Sequence, residues 1–254
     1  MNNIYKLFLN SKYNSTKYKN YFNIYSHIFK KYINKKIIFV EIGVLNGGSL
    51  FMWKKYFGKK AEIIGIDLNP NAKKLEKYGF KIFIGNQADP VFWKNFFKEI
   101  GKVDVILDDG GHTNKQQIIT TNSCVNNINN NGILVIEDTH ASYQKGFGNP
   151  SKHSFINYSK KIIDDINYRF PQLGTFRFSL NKNVYSIEYF ESIVCFHINR
   201  KLCKSNILIN NKKKTFNHED YRYFGKEKNP ILKKILFLFK KYVLKKNQLK
   251  KYFE

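Results

Sequence analysis

Two short acidic strings carry the chemistry open to this chain: Asp108-Asp109-Gly110-Gly111-His112 and Glu137-Asp138-Thr139-His140. Each follows an apolar, β-branched run, Val103–Leu107 and Ile133–Ile136, so each is expected at the tip of a strand. In an open parallel sheet the C-terminal strand tips share one edge, and ligands bind there. Four carboxylates and a histidine would converge on that edge, and crowded carboxylates repel unless a cation neutralises them. Hard oxygen donors with no cysteine nearby favour Mg²⁺ over Zn²⁺, with Mn²⁺ or Ca²⁺ able to fill the same site. The competing explanation is that these acids cap the following helices. It accounts for one acid per tip better than for two adjacent acids on each of two tips.

A third tip supplies a pocket. The strand Ile37–Val40 leads into Glu41-Ile42-Gly43-Val44-Leu45-Asn46-Gly47-Gly48-Ser49, and a helical segment follows at once. Strand, glycine turn and helix together build the nucleotide crevice of doubly wound α/β folds. A dinucleotide site would need G-x-G-x-x-G, with a diphosphate on the helix N-terminus. The pattern here is E-x-G-x-x-x-G, which excludes an NAD-dependent oxidoreductase and is similar to class I methyltransferases, whose S-adenosylmethionine has no phosphate. The next strand ends at Asp67, 20 residues after Gly47. A carboxylate there can accept both ribose hydroxyls, and the agreement of the two strand tips favours that role over a helix N-cap or turn residue before Asn69-Pro70.

The elements that must position these residues alternate regularly. Strands are expected at Ile37–Glu41, Glu62–Asp67, Lys81–Ile84, Val103–Leu107 and Ile133–Ile136, with helices around 49–57, 71–78, 90–99 and 113–127 between them. Such βα units imply a parallel sheet with right-handed crossovers. A helix at about 154–168 precedes two strand-like runs, Val184–Phe190 and Ser192–Asn199, close enough to form a hairpin. The expected fold is α/β and Rossmann-like, a mostly parallel seven-stranded sheet with a C-terminal antiparallel hairpin. Residues 1–35, with Tyr18, Tyr21, Phe22, Tyr25 and Ile28 at helical spacing, read as a helical cap on a 36–203 domain. Residues 204–254 read as a basic tail: a linker to 229, then an amphipathic helix over 230–247. That helix suits an anionic membrane surface, the domain itself or another subunit equally.

The 254 residues carry a formal net charge of +25. That invites a nucleic-acid reading, but the excess is spread through a chain rich in Lys, Asn, Ile, Phe and Tyr. Residues 201–254 alone hold 16 Lys and Arg against 4 acids. No nucleic-acid partner is expected. No stretch reaches the length of an uncharged membrane span, and Met1–Lys6 lacks the apolar core of a secretion signal. Cys124, Cys195 and Cys203 show neither metal nor redox spacing. A cytoplasmic setting, peripheral at the membrane if the tail binds there, is the expectation.

Several strings in order add specificity: E-I-G-V-x-x-G-G-S-L-x-M-W, G-I-D-x-N-P, G-N-Q-A-D-P-x-F-W, D-D-G-G-H-x-x-x-Q and G-I-L-V-I-E-D-T-H-x-S-Y. From about 37 to 165 the chain resembles the metal-dependent sugar O-methyltransferases of the macrocin O-methyltransferase group. The resemblance implies that Asp109, Glu137 and Asp138 ligate Mg²⁺ or Mn²⁺ and that His112 is the catalytic base. It also implies that Glu41, Gly43, Gly47, Ser49, Asp67, Gln87 and Asp108 form the S-adenosylmethionine pocket. Asn86 departs from the acid usual in the group, and His140 has no assigned role. The implied substrate is a nucleotide-activated hexose or heptose for a capsule or surface polysaccharide, with GDP-heptose the first choice. Self-association is a further implication.

Two other functions compete. An RNA or DNA methyltransferase acting on exocyclic amines would carry an Asn/Asp-Pro-Pro-aromatic turn where this chain has Asp108–His112. A basic membrane-surface module rests on the tail alone.

Overall fold

The computed structural model describes residues 3–147, 151–170 and 180–209, with positions 211, 231, 234, 235 and 238. The chain divides into two compact units, Met1–Asn206 and Ile207–Glu254. Most of the linker expected over 204–229 and of the amphipathic helix over 230–247 lies outside the described residues. No helix among the described residues is long and apolar enough to cross a membrane.

The first unit is built on a seven-stranded sheet: β1 (Ile38–Ile42), β2 (Glu62–Asp67), β3 (Lys81–Ile84), β4 (Val103–Asp108), β5 (Ile128–Ile136), β6 (Val184–Phe190) and β7 (Ile193–Ile198). Their order is β3-β2-β1-β4-β5-β7-β6. The first five strands run parallel, and β7 pairs antiparallel with β5 and with β6. This is the α/β architecture with a closing hairpin that the sequence predicts. The order reverses between β1 and β4, which makes their shared edge the switch point where such sheets bind ligands.

Both faces of the central strands are covered, which is why their middles are near-continuous apolar runs. Successive residues alternate between two cores: Phe39, Ile63, Val105 and Val135 face one; Val40, Ile64, Ile106 and Leu134 face the other. Helices α1 (Asn3–Leu9), α2 (Tyr21–Phe29) and α3 (Gly48–Phe57) cover the first face. There Trp53 packs against Phe39, Phe29 and Tyr25 with ring centroids 5.1 to 5.3 Å apart. Helices α4 (Pro90–Ile100), α5 (Asn114–Cys124) and α6 (Phe155–Asn167) cover the second, around Trp93, Phe96 and Phe155.

Three local differences from the expected elements have simple causes. Residues 70–78 wind as a 3₁₀ segment, entered through Pro70 and closed by Gly79 at φ +80°. Strand β5 begins at Ile128, which pairs with Val103; Asn129–Gly132 then bulge out opposite the single Asp104 before the ladder resumes at Ile133. Residues 10–20 are not helical: they form a strap between α1 and α2, so Tyr18 precedes the helix instead of continuing its apolar face.

Candidate active site

The glycine turn sets the floor of the site. Gly43 leaves β1 at φ +84°, and a Cβ there would stand 2.1 Å from the Asp109 carbonyl oxygen. Only glycine lets the β1 and β4 tips approach this closely. Gly43 N–H donates to Ile66 and Asp109 N–H to Ile42, which ties the three tips together. Asp67 closes the turn from the side: Oδ2 accepts from the amides of Val44 and Leu45, and Oδ1 from that of Asn69.

A cavity of about 620 Å³ opens above these tips, within the range of small-molecule sites. Gly43, Asp67 and Gln87 line one side; Asp109, His112, Glu137 and Asp138 line the other. The remaining sequence-predicted pocket residues, Glu41, Gly47, Ser49 and Asp108, lie behind the wall. Buried Glu41 accepts from Ser49 Oγ at 2.7 Å and Trp53 Nε1 at 3.1 Å, pinning α3 to β1. Burial pushes its pKa up to about 7, against the pull of Lys17. Gln87 Nε2 donates to both oxygens of buried Asp108, and Gln87 Oε1 accepts from Gly111 N–H. Burial also raises the Asp108 pKa. Asn86 lines the cavity while its side chain caps the turn at Ala88.

Asp109, His112 and Asp138 each offer a ligand atom, and these atoms lie within 4.8 Å of one another. His112 Nε2 is 3.3 Å from Asp138 Oδ2. Both residues hold left-handed backbone, at φ +57° and +55°, an uncommon conformation that clusters at functional sites. Helix capping does not explain these acids. Thr113 caps α5 in a reciprocal box with Gln116, and Asp138 makes no capping bond. Two carboxylates beside an imidazole at the cavity wall fit a hard divalent cation.

Glu137 sits differently. It is fully buried, Tyr25 Oη donates to Oε1, and Lys17 Nζ lies 2.8 Å from Oε2. The same ammonium is 2.6 Å from Asp109 Oδ2 and 3.9 Å from Glu41. Burial alone would lower the Lys17 pKa, but the charges of Asp109, Glu137 and Glu41 more than reverse this and hold it above its ordinary value. Tyr21 and Tyr25, one helical turn apart on α2, present their hydroxyls to Asp138 and Glu137 respectively. Burial raises both phenol pKa values, so both stay donors. His140 bonds Ser192 through Nδ1 and meets Tyr18 edge-on.

Lys17, Tyr21 and Tyr25 are the site residues that the sequence pattern missed. The tyrosines stood out only as an apolar helix face, and Lys17 is one of 44 basic residues, 120 positions from Glu137. The i, i+4 tyrosine pair on a helix otherwise facing the core was the one signal available.

The chain is similar to enzymes of sugar methylation, in line with the motif resemblance. It is 32% identical over 129 residues to L-olivosyl-oleandolide 3-O-methyltransferase of Streptomyces antibioticus, covering 48% of this chain and 33% of that one. It is 27% identical over 157 residues to demethylmacrocin O-methyltransferase of Streptomyces fradiae, covering 57% and 39%. The chain thus spans well under half the length of these curated relatives. Among solved structures it matches MycE, a methyltransferase of mycinamycin biosynthesis held with Mg, SAH and mycinamycin VI. That match has a TM-score of 0.68 and 22% identity, over 78% of this chain and 53% of that one. No family model matches. The fold is that of a class I methyltransferase.

Proposed function

We propose that this chain, a relative of sugar O-methyltransferases through its strand-tip motifs, transfers a methyl group from S-adenosylmethionine to a sugar hydroxyl with the help of a divalent cation. The observation that carries the reading is the meeting of Asp109, His112 and Asp138 beside the glycine-floored cavity. Bound there, S-adenosylmethionine would supply the sulfonium methyl, and Mg²⁺ or Mn²⁺ the charge that stabilises a developing alkoxide.

In this reading Asp109, Glu137 and Asp138, which all line the cavity, would hold the cation. Three of the roughly four lone-pair sites of Asp67 are spent on Val44, Leu45 and Asn69, which leaves one on Oδ1 to accept a ribose hydroxyl. His112 removes the hydroxyl proton at Nε2, and Asp138 Oδ2 at 3.3 Å stabilises the resulting imidazolium. The strap and α2 wall off one side of the cavity through Thr16, Lys17, Tyr18 and Tyr21, limiting water around the acids. Most of the rate gain then comes from holding the acceptor oxygen in line with the methyl.

The finer reading is a nucleotide-activated heptose or hexose, GDP-heptose first, destined for a surface polysaccharide. The relatives are named for glycosylated compounds such as L-olivosyl-oleandolide and not for nucleotide sugars, so this choice rests on the motif resemblance alone. Mass spectrometry of a nucleotide-sugar panel incubated with the protein, S-adenosylmethionine and Mg²⁺ tests it. A methylated GDP-heptose supports the assignment. Methylation of glycosylated macrolides with no nucleotide sugar modified rejects it.

A further inference from the structure

The acid side of the site adjoins a second cavity, of about 440 Å³, between the end of the strap and the β6–β7 hairpin turn. Tyr18, Lys19, Tyr21, His140, Glu191 and Ser192 line it, and Tyr18 and Tyr21 line the first cavity as well. The shared wall touches an acid. Tyr21 Oη donates to Asp138 Oδ1 at 2.5 Å, and His140 Nδ1 is 4.0 Å from the same oxygen. The far wall is fixed by the turn. Ser192, at φ +65°, accepts from Thr139 N–H through its carbonyl and bonds His140 Nδ1 through Oγ, which ties the hairpin to the tip of β5. Asn20 Nδ2 donates to Glu191 Oε2 at 3.1 Å and joins strap to hairpin.

Methyl transfer needs room for two molecules, and the cavity over the glycine turn has to hold the donor. The acceptor must then lie where one of its hydroxyls still reaches His112 and the acids. The opening of about 660 Å³ lined by Lys12, Lys74 and Lys77 meets the site at Leu45 alone, on the Asp67 side, and touches none of those acids. The cavity behind Tyr21 is one phenol away from Asp138. Its walls suit a pyranose, which has an apolar C–H face and a rim of hydroxyls. The face of an aromatic ring is negative and attracts C–H groups laid against it. Tyr18 is 59% exposed, and its ring meets that of His140 at 87° and 5.6 Å, a corner of two rings on the cavity wall. Lys19 supplies donors, and Glu191 keeps acceptor capacity beyond its bond from Asn20.

Resting on the methyl-transfer reading above, we propose that this second cavity seats the ring of the acceptor sugar. Tyr18 is the platform for the C–H face, and His140 is the wall that meets it. Glu191 and Lys19 bond hydroxyls on the rim, and the hydroxyl to be methylated points past Tyr21 toward the acids. His140, to which the motif resemblance gives no role, thereby becomes a residue that selects the acceptor. Tyr18, which the sequence places in a helical cap, does the same from the strap.

Saturation-transfer NMR of the full-length chain with methyl α-D-mannopyranoside and methyl α-D-glucopyranoside tests the seat without cofactor or turnover. Ring protons of at least one should receive saturation from the wild type and from Tyr18→Phe, and lose most of it with Tyr18→Ala or His140→Ala. Tyr185→Ala, at an exposed tyrosine outside both cavities, should match the wild type. Tyr18 is exposed, so its truncation leaves the fold standing. With a sugar substrate accepted in the panel above, Tyr18→Ala should raise KM by about tenfold or more and move kcat by less than about threefold. No saturation transfer in the wild type, an equal signal from Tyr18→Ala, or an unchanged KM in that variant overturns the proposal. Calorimetry with S-adenosylhomocysteine is run beside it. No binding of that ligand sinks the methyl-transfer reading, while the sugar signal still decides the seat.

Discussion

His112 and Asp138 face one another across the mouth of the cavity, Nε2 to Oδ2 at 3.3 Å, each from a left-handed backbone position. Neither side chain caps a helix: Thr113 caps α5, and Asp138, at the N-cap position of the 3₁₀ segment Thr139–Tyr143, makes no side-chain capping bond. The two strand tips have spent unfavourable backbone conformations to aim a base and a carboxylate at the same spot. Conformations of this kind persist where the surroundings enforce them. Here the β4 and β5 ladders and the Gln117 side chain, which donates to the Glu137 carbonyl, do so.

Replacing the imidazole should remove the base and little else. His112→Ala is expected to lower kcat by about 10²- to 10⁴-fold. Binding of S-adenosylhomocysteine, measured by calorimetry, should stay within a few-fold of wild type. Turnover close to wild type would dismiss the base assignment.

Gly43 should tolerate no side chain. Gly43→Ala meets the Asp109 carbonyl at 2.1 Å and also carries the left-handed penalty of about 1–2 kcal/mol. The β1 and β4 tips must part, so cofactor affinity and melting temperature should fall together. A variant that melts and binds like wild type would show that the close approach is unimportant.

Trp53 joins the aromatic core to the acid cluster. Trp53→Ala is expected to cost about 3–5 kcal/mol, read from urea unfolding. Trp53→Phe keeps most of the packing but leaves buried Glu41 without its indole donor, at a cost of about 1–3 kcal/mol. Equal stability of the Phe variant and the wild type would remove any role for that hydrogen bond.

Glu41 gives a pH dependence with a defined sign. Burial raises its pKa from 4.5 to about 7 in the folded protein. The folded state therefore holds this proton more tightly than the unfolded chain does. Its contribution is most favourable below the unfolded value and is lost as pH rises through that window. Glu41→Gln cannot titrate, so its stability relative to wild type should improve between pH 4.5 and 7, as followed by thermal melts. A difference independent of pH would contradict the raised value.

Much of this was legible in the chain. Strands β2, β3 and β6 were read to their termini, because branched apolar runs bounded by turn residues have one reading. The acid pairs and the glycine turn announced the edge where they meet. Other features depend on contacts distant in sequence. Glu41 and Ser49 looked like pocket residues, yet eight positions across a strand-turn-helix corner bring them together, so they satisfy each other behind the wall. Residues 10–20 have no periodicity, and nothing local marks Lys17 as a lysine that turns inward.

The central claim is that a divalent ion between two strand tips serves methyl transfer, and metal depletion tests it most directly. Release of S-adenosylhomocysteine in the presence of an accepted sugar should cease in EDTA and return when Mg²⁺ is added in excess of the chelator. Undiminished release in EDTA would contradict the account.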